Sequence, residues 1–134
     1  MNHEEALVRA FIDPRRVERY LEMLGNAKKR EKLRRELAHF KALDPTCMAP
    51  IPPNQSGWVG ITGLLKAKGA GERCWVISEN PKLDGREMDL DTALKDTIGY
   101  QMGTLISCIP GKLGYFEDED GRCILERRGN TRPR

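Results

Sequence analysis

Cys74-Trp75-Val76-Ile77, followed by Ser78-Glu79-Asn80-Pro81-Lys82-Leu83-Asp84-Gly85-Arg86-Glu87, is the stretch on which the fold turns. Its first four residues are apolar and rich in strand formers, so they read as a short buried strand. The polar residues behind them then leave the end of that strand, where a rigid sheet can aim side chains at a ligand. Downstream, Asp89 is a good cap for a helix over residues 90–99, with Leu90, Ala93, Leu94 and Ile98 on one face. Thr104 to Ile109 reads as the next strand and is stopped by Pro110-Gly111. Leu113 to Glu117 continues it or begins a third. Asp120-Gly121 is a hairpin signal between Tyr115-Phe116 and Cys123-Ile124-Leu125. A strand, helix, strand order predicts a parallel, right-handed crossover from residues 74–77 to 104–109.

Upstream, the pattern is helical. Ala6, Leu7, Ala10 and Phe11 share a face over residues 3–12, and Asp13-Pro14 caps and restarts the chain. Val17, Tyr20, Leu21 and Leu24 form a second stripe that ends at Gly25. Asn26 can cap a third helix over residues 27–42, with Leu33, Leu37 and Phe40 inward. Pro45, Pro50, Pro52 and Pro53 exclude a regular element over residues 44–55, which read as an extended crossing segment. Residues 56–68 form a further helix capped by Ser56, although Gly57, Gly60 and Gly63 weaken it. The expected fold is α+β. A layer of three or four N-terminal helices packs on a small, mainly antiparallel three-stranded sheet with one βαβ-like crossover. One domain over residues 1–127 and a disordered basic tail over 128–134 are expected.

The composition fits that size. A chain of 134 residues, 39% hydrophobic and 32% charged, carries enough apolar material for one core under a wet surface. Its formal charge of +3 is unevenly placed. Lys28, Lys29, Arg30, Lys32, Arg34 and Arg35 crowd the third helix, and Arg127, Arg128, Arg132 and Arg134 crowd the tail. Against them stands the acidic knot Glu117-Asp118-Glu119-Asp120. Such bipolarity suits an acidic partner or self-association. Cys47, Cys74, Cys108 and Cys123 lack zinc or redox-pair spacing, three of them lie inside apolar runs and no signal peptide precedes them, so no disulfide is expected, and no metal or cofactor is expected either. No apolar run approaches the roughly 20 residues of a membrane span. A cytoplasmic location is the expectation.

Three functional readings follow. In the first, the chain is a small cytosolic binding or regulatory module that engages a macromolecular partner, such as a protein, through its charged surfaces. In the second, it is an enzyme acting on a phosphate-bearing or nucleotide-like ligand. Glu79, Asp84 and Glu87 would then supply acid and base, with Ser78, Asn80, Arg86, Ser107 and Lys112 binding the ligand. Turn chemistry competes with this, since Asn80-Pro81 and Asp84-Gly85 are ordinary turn pairs. A nucleophilic Cys108 would need a base. His3 lies near a terminus expected to fray and His39 lies in the basic helix, so core packing is the better account of that thiol. Pro110-Gly111-Lys112 lacks the rest of a phosphate loop.

In the third reading, Lys28, Lys29, Arg30, Lys32, Arg34 and Arg35 bind nucleic acid in a salt-sensitive, sequence-blind way. The plainer alternative is a solvated helix face with a Glu31–Arg35 pair. Few aromatics lie nearby to stack bases. A homodimer through a free sheet edge is a further expectation.

Overall fold

The computed structural model describes residues 2–127. Within them run the helices α1 (His3–Phe11), α2 (Val17–Leu24), α3 (Ala27–Glu36), α4 (Trp58–Ala67) and α5 (Leu90–Lys95). The strands are β1 (Met48–Ala49), β2 (Arg73–Ser78), β3 (Arg86–Asp89), β4 (Thr104–Ile109), β5 (Leu113–Asp118) and β6 (Gly121–Glu126). They form one sheet in the order β1-β6-β5-β4-β2-β3, and every neighbouring pair is antiparallel. The class is α+β, as the pattern predicted.

Side chains alternate across the strands and so divide the core in two. Trp75, Ile77, Leu105, Phe116, Cys123 and Leu125 pack with Leu7, Phe11, Tyr20, Met23, Leu33 and Leu37 of α1, α2 and the α3 region. Cys74, Val76, Ile106, Cys108, Tyr115 and Ile124 pack on the other face with Ile61 and Leu65 of α4 and with Leu90, Ala93 and Leu94 of α5. The sheet is therefore covered on both faces. The expected single helical layer is corrected at α4, which lies across the sheet from α1–α3. The proline-rich segment between α3 and α4 makes that crossing, contributing β1 at the sheet edge on the way.

The three-stranded expectation is also corrected. β3 went unread because Arg86-Glu87-Met88-Asp89 has three charged residues, a composition that suits an outer edge strand but hides it from apolar pattern reading. The polar loop after β2 is thus the turn of a hairpin. That turn reverses the chain before α5, so β4 returns antiparallel to β2, not parallel. A crossover does exist, but it joins β3 to β4. These two run in the same direction with β2 between them, since each is antiparallel to β2. Helical lengths are shorter than predicted as well. α3 gives way to a 3-10 turn at residues 37–39, and Phe40 turns extended, with its ring 6.0 Å from that of Phe116. The predicted tail at 128–134 lies outside the described residues.

His3 does not fray. Its Nδ1 lies at hydrogen-bond distance, 2.9 Å, from Ser107 Oγ, and its ring stacks on Trp75. Asn2 caps α1 by accepting from the Glu5 N–H at 2.7 Å, which fixes this first turn on the sheet.

Gly103 marks the tightest approach between layers. A Cβ there would overlap the Leu37 carbonyl, which belongs to the backbone and cannot rotate away. Gly103→Ala is expected to lower stability by about 1–3 kcal/mol or more, read as a reduced denaturant midpoint. A midpoint equal to that of the wild type would show that the 3-10 turn yields freely.

Candidate functional site

α3 presents three faces, set by its period of about 3.6 residues. Leu33, with Leu37 just beyond the helix, faces the core. Arg30 and Arg34, four residues apart, face the β2–β3 turn. Lys28, Lys32 and Arg35, spaced by four and three residues, face solvent.

The second face joins the two features that the sequence presents separately. Arg30 donates from Nη1 and Nη2 to the two Glu4 carboxylate oxygens at 2.8 and 2.7 Å. It also donates from Nε and Nη2 to Asp84 at 3.0 and 3.1 Å. Arg34 donates to the Ser78 and Glu79 carbonyls, both at 2.9 Å, and pairs with Glu31. The predicted Glu31–Arg35 pair is thus replaced by Glu31–Arg34. Asp84 also accepts from the Ser78 N–H at 2.9 Å, and the Trp75 indole donates to Glu4 at 2.8 Å. Glu4 and Asp84 side chains are only 14% and 11% exposed. The hydrogen bonds to Glu4 in particular raise the pKa of Arg30 above its already high value. This is a clamp between α1, α3 and the hairpin turn.

The remaining loop residues have scaffold bonds too. Glu79 exchanges contacts with Gly103: its N–H donates to the glycine carbonyl, and its carboxylate accepts from the glycine N–H. Ser78 Oγ meets Thr104 Oγ1 at 2.8 Å and accepts from the Asn80 N–H at 2.9 Å. Asn80 Oδ1 caps the turn by accepting from the Lys82 N–H. Arg86 donates to the Lys82 carbonyl, and Glu87 pairs across the hairpin with exposed Arg73.

Ser78, Glu79, Asn80 and Asp84 are therefore together, and Ser107 lies further along the sheet opposite Trp75. Lys112 is in the β4–β5 turn, at the opposite end of the sheet. Burial pushes the thiols of Cys74, Cys108 and Cys123 up to about 12, which leaves them protonated and poorly nucleophilic at neutral pH.

A concavity opens elsewhere, between α2 and the end of α3. It encloses about 230 Å³ and is lined by the cations Arg16, Arg19, Arg35 and Lys41, by His39, and by Tyr20, Glu36 and Phe40. Tyr20 forms the floor. Its ring packs edge-on against Phe40 at 5.6 Å, and its hydroxyl donates to Glu36 at 2.8 Å. Burial, reinforced by Glu36, pushes that hydroxyl up to about 12, so it stays a donor. Arg19 donates to the other Glu36 oxygen at 3.0 Å.

Among the described residues Arg16 and Arg35 form no salt bridge, and neither do Lys28 and Lys32. Lys29 is paired with Glu22. Of the six cations predicted on the helix, Lys28, Lys32 and Arg35 thus remain available, as a stripe about 10 Å long that runs into the groove. Arg16, Arg19, His39 and Lys41 were missed as site residues. The signal was present in the adjacent pair Arg15-Arg16 and in Lys41 beside Phe40, but only packing of α2 against α3 brings these residues to one surface.

His39 is the one residue of the groove that contacts the β5–β6 hairpin through both ring nitrogens. Nε2 lies 2.7 Å from Glu119 Oε1 and Nδ1 lies 3.0 Å from Asp120 Oδ2. The Asp120 hydrogen bond and then the Glu119 charge hold its pKa above the ordinary histidine value. Among the described residues no helix is long and apolar enough to cross a membrane. Comparison of the chain with protein-family models, with curated proteins and with solved structures finds no match, so its function must be argued from this geometry.

Proposed function

We propose that the protein is a binding module that takes an acidic polypeptide segment along the Lys28–Lys32–Arg35 stripe and into the groove beside it. The observation that carries this reading is the uneven pairing of the cations. Arg30 and Arg34 are engaged inside the fold, whereas Arg16 and Arg35 line the groove and Lys28 and Lys32 lie exposed on the same helix as Arg35, none of the four in a salt bridge. Unpaired like charges gathered on one surface repel each other weakly and attract an anionic ligand.

The polypeptide is favoured over nucleic acid by the character of the groove floor. Tyr20 and Phe40 are both buried, so no open ring is offered for base stacking. Support against a catalytic role for the β2–β3 turn comes from its carboxylates. Glu79 and Asp84 already accept from Gly103, Ser78 and Arg30, and a catalytic acid or base needs a free path to its substrate.

A fluorescein-labelled oligoglutamate peptide, titrated at low and at physiological salt, tests the reading. The wild type is expected to bind with an affinity that falls as salt rises. K28E/K32E/R35E should weaken binding by about tenfold or more while leaving stability nearly intact, because these three side chains are exposed. Absence of binding at low salt would remove the proposal. Stronger binding of a nucleic-acid duplex, lost in the same variant, would transfer the surface to that ligand.

A further inference from the structure

Two further carboxylates of the chain itself reach the groove wall. Glu119 and Asp120 form the tip of the β5–β6 hairpin and reach His39 at 2.7 and 3.0 Å, and Asp120 also approaches Lys41 Nζ at 3.9 Å. Nδ1 is placed to donate to Asp120 and Nε2 lies beside the Glu119 carboxylate, so both acids favour the protonated ring over the neutral one. The same three side chains have the composition of a metal site. However, the carboxylates meet opposite ring nitrogens, which suits a protonated ring held between two acids better than one shared ion.

The tip is held in place independently of these contacts. Buried Asp118 accepts from the Asp120 and Gly121 N–H groups at 2.8 and 3.1 Å and from the Phe40 N–H at 3.3 Å. The turn is thereby anchored beside the groove whether or not Glu119 and Asp120 are charged. Both of those side chains are about half exposed, so their bonds to His39 and Lys41 are weak enough to exchange with an outside ligand.

We propose that the Glu119-Asp120 tip is a built-in competitor, which occupies His39 and Lys41 in the free protein and is displaced when the acidic partner enters the groove. This rests on the groove reading above and adds regulation to it. The charged groups around His39 are Glu119, Asp120, Asp118 and Lys41, with Arg35 and Glu36 on the neighbouring groove wall. The raised pKa of His39 means that the latch is fully made below the ordinary histidine value and is lost as pH climbs through the raised one.

The test is E119Q/D120N, with E72Q/E87Q as a control that removes the same charge. Glu72 and Glu87 are exposed and lie away from the groove, towards the β3 edge. With the labelled oligoglutamate peptide at pH 6.5, E119Q/D120N should bind about three- to tenfold more tightly than wild type. E72Q/E87Q should match wild type. In an NMR titration of the ligand-free proteins, the His39 pKa should fall towards the ordinary value in E119Q/D120N only.

Equal affinity for E119Q/D120N and wild type, or an equal gain in the control, overturns the competitor. So does an unchanged His39 titration. If wild type binds, K28E/K32E/R35E does not, and E119Q/D120N is unchanged, the competitor falls while the binding surface stands. If neither wild type nor E119Q/D120N binds the peptide at low salt, both fall together.

Discussion

Arg30→Ala is expected to destabilise the protein by about 3–5 kcal/mol, the range for removing one partner from a buried ion pair. A urea or guanidinium titration would show this as a lower midpoint. The size follows from what would be left behind. Glu4 and Asp84 are mostly withdrawn from water and together receive four hydrogen bonds from this one guanidinium. Arg34, 3.6 Å from Asp84, would still cover that carboxylate. Glu4 would keep only the Trp75 indole N–H among the bonds described above.

Arg30→Lys should recover only part of the loss. A single ammonium cannot present two pairs of donors to two carboxylates in the geometry of a planar fork. A cost below about 1 kcal/mol for Arg30→Ala would instead place this network with exposed pairs, which contribute little. The assay also separates the two roles of α3. Arg30→Ala should act on stability, whereas K28E/K32E/R35E should act on binding.

The second large effect is expected at Glu117. Its side chain is 1% exposed on β5. It accepts from the Tyr115 hydroxyl at 2.7 Å, from the Gly99 N–H at 3.0 Å and from the Gln101 N–H at 2.9 Å. Gln101 has φ of 61°, a left-handed conformation that a residue other than glycine keeps only when its surroundings hold it. Glu117→Ala removes the acceptor for all three donors and should lower stability by about 2–4 kcal/mol. Hydrogen exchange at Gly99 and Gln101 should then quicken more than in the centre of β4. Glu117→Gln should be milder, since its carbonyl can keep both backbone donors while its amide donates to Tyr115. Unchanged exchange at Gly99 and Gln101 in Glu117→Ala would show that the loop holds its shape without the carboxylate.

Both predictions concern acids and bases that read as surface charge in the sequence. Glu4 suits a helix N-terminus, Asp84 suits a turn before glycine, Glu117 belongs to an acidic run and Arg30 to a basic one. Each reading is locally sound. Those of Glu4, Asp84 and Arg30 do not reveal the partner, because the pairs are 26 residues apart for Glu4 and Arg30 and 54 for Arg30 and Asp84, and Glu117 reaches backbone donors 18 and 16 residues away. The loop and the helix looked like two candidate sites, yet part of each is the counter-charge of the other. What remains of the helix is the half that points away, and it was the packing of α2 that extended this half into a groove.

Local pattern was enough to establish the class of fold, the three N-terminal helices, the strand through Cys74–Ile77, the strand at Thr104–Ile109 and the hairpin at Asp120-Gly121. These depend on propensity, capping and apolar period, which act between residues close in sequence. Which face of the sheet α4 covers, where the charged edge strand β3 pairs, and which cations are left for a partner were decided only by tertiary structure. The physical reason is that hydrogen-bond and ion-pair partners are chosen by distance in space, and folding brings together donors and acceptors that no local pattern links.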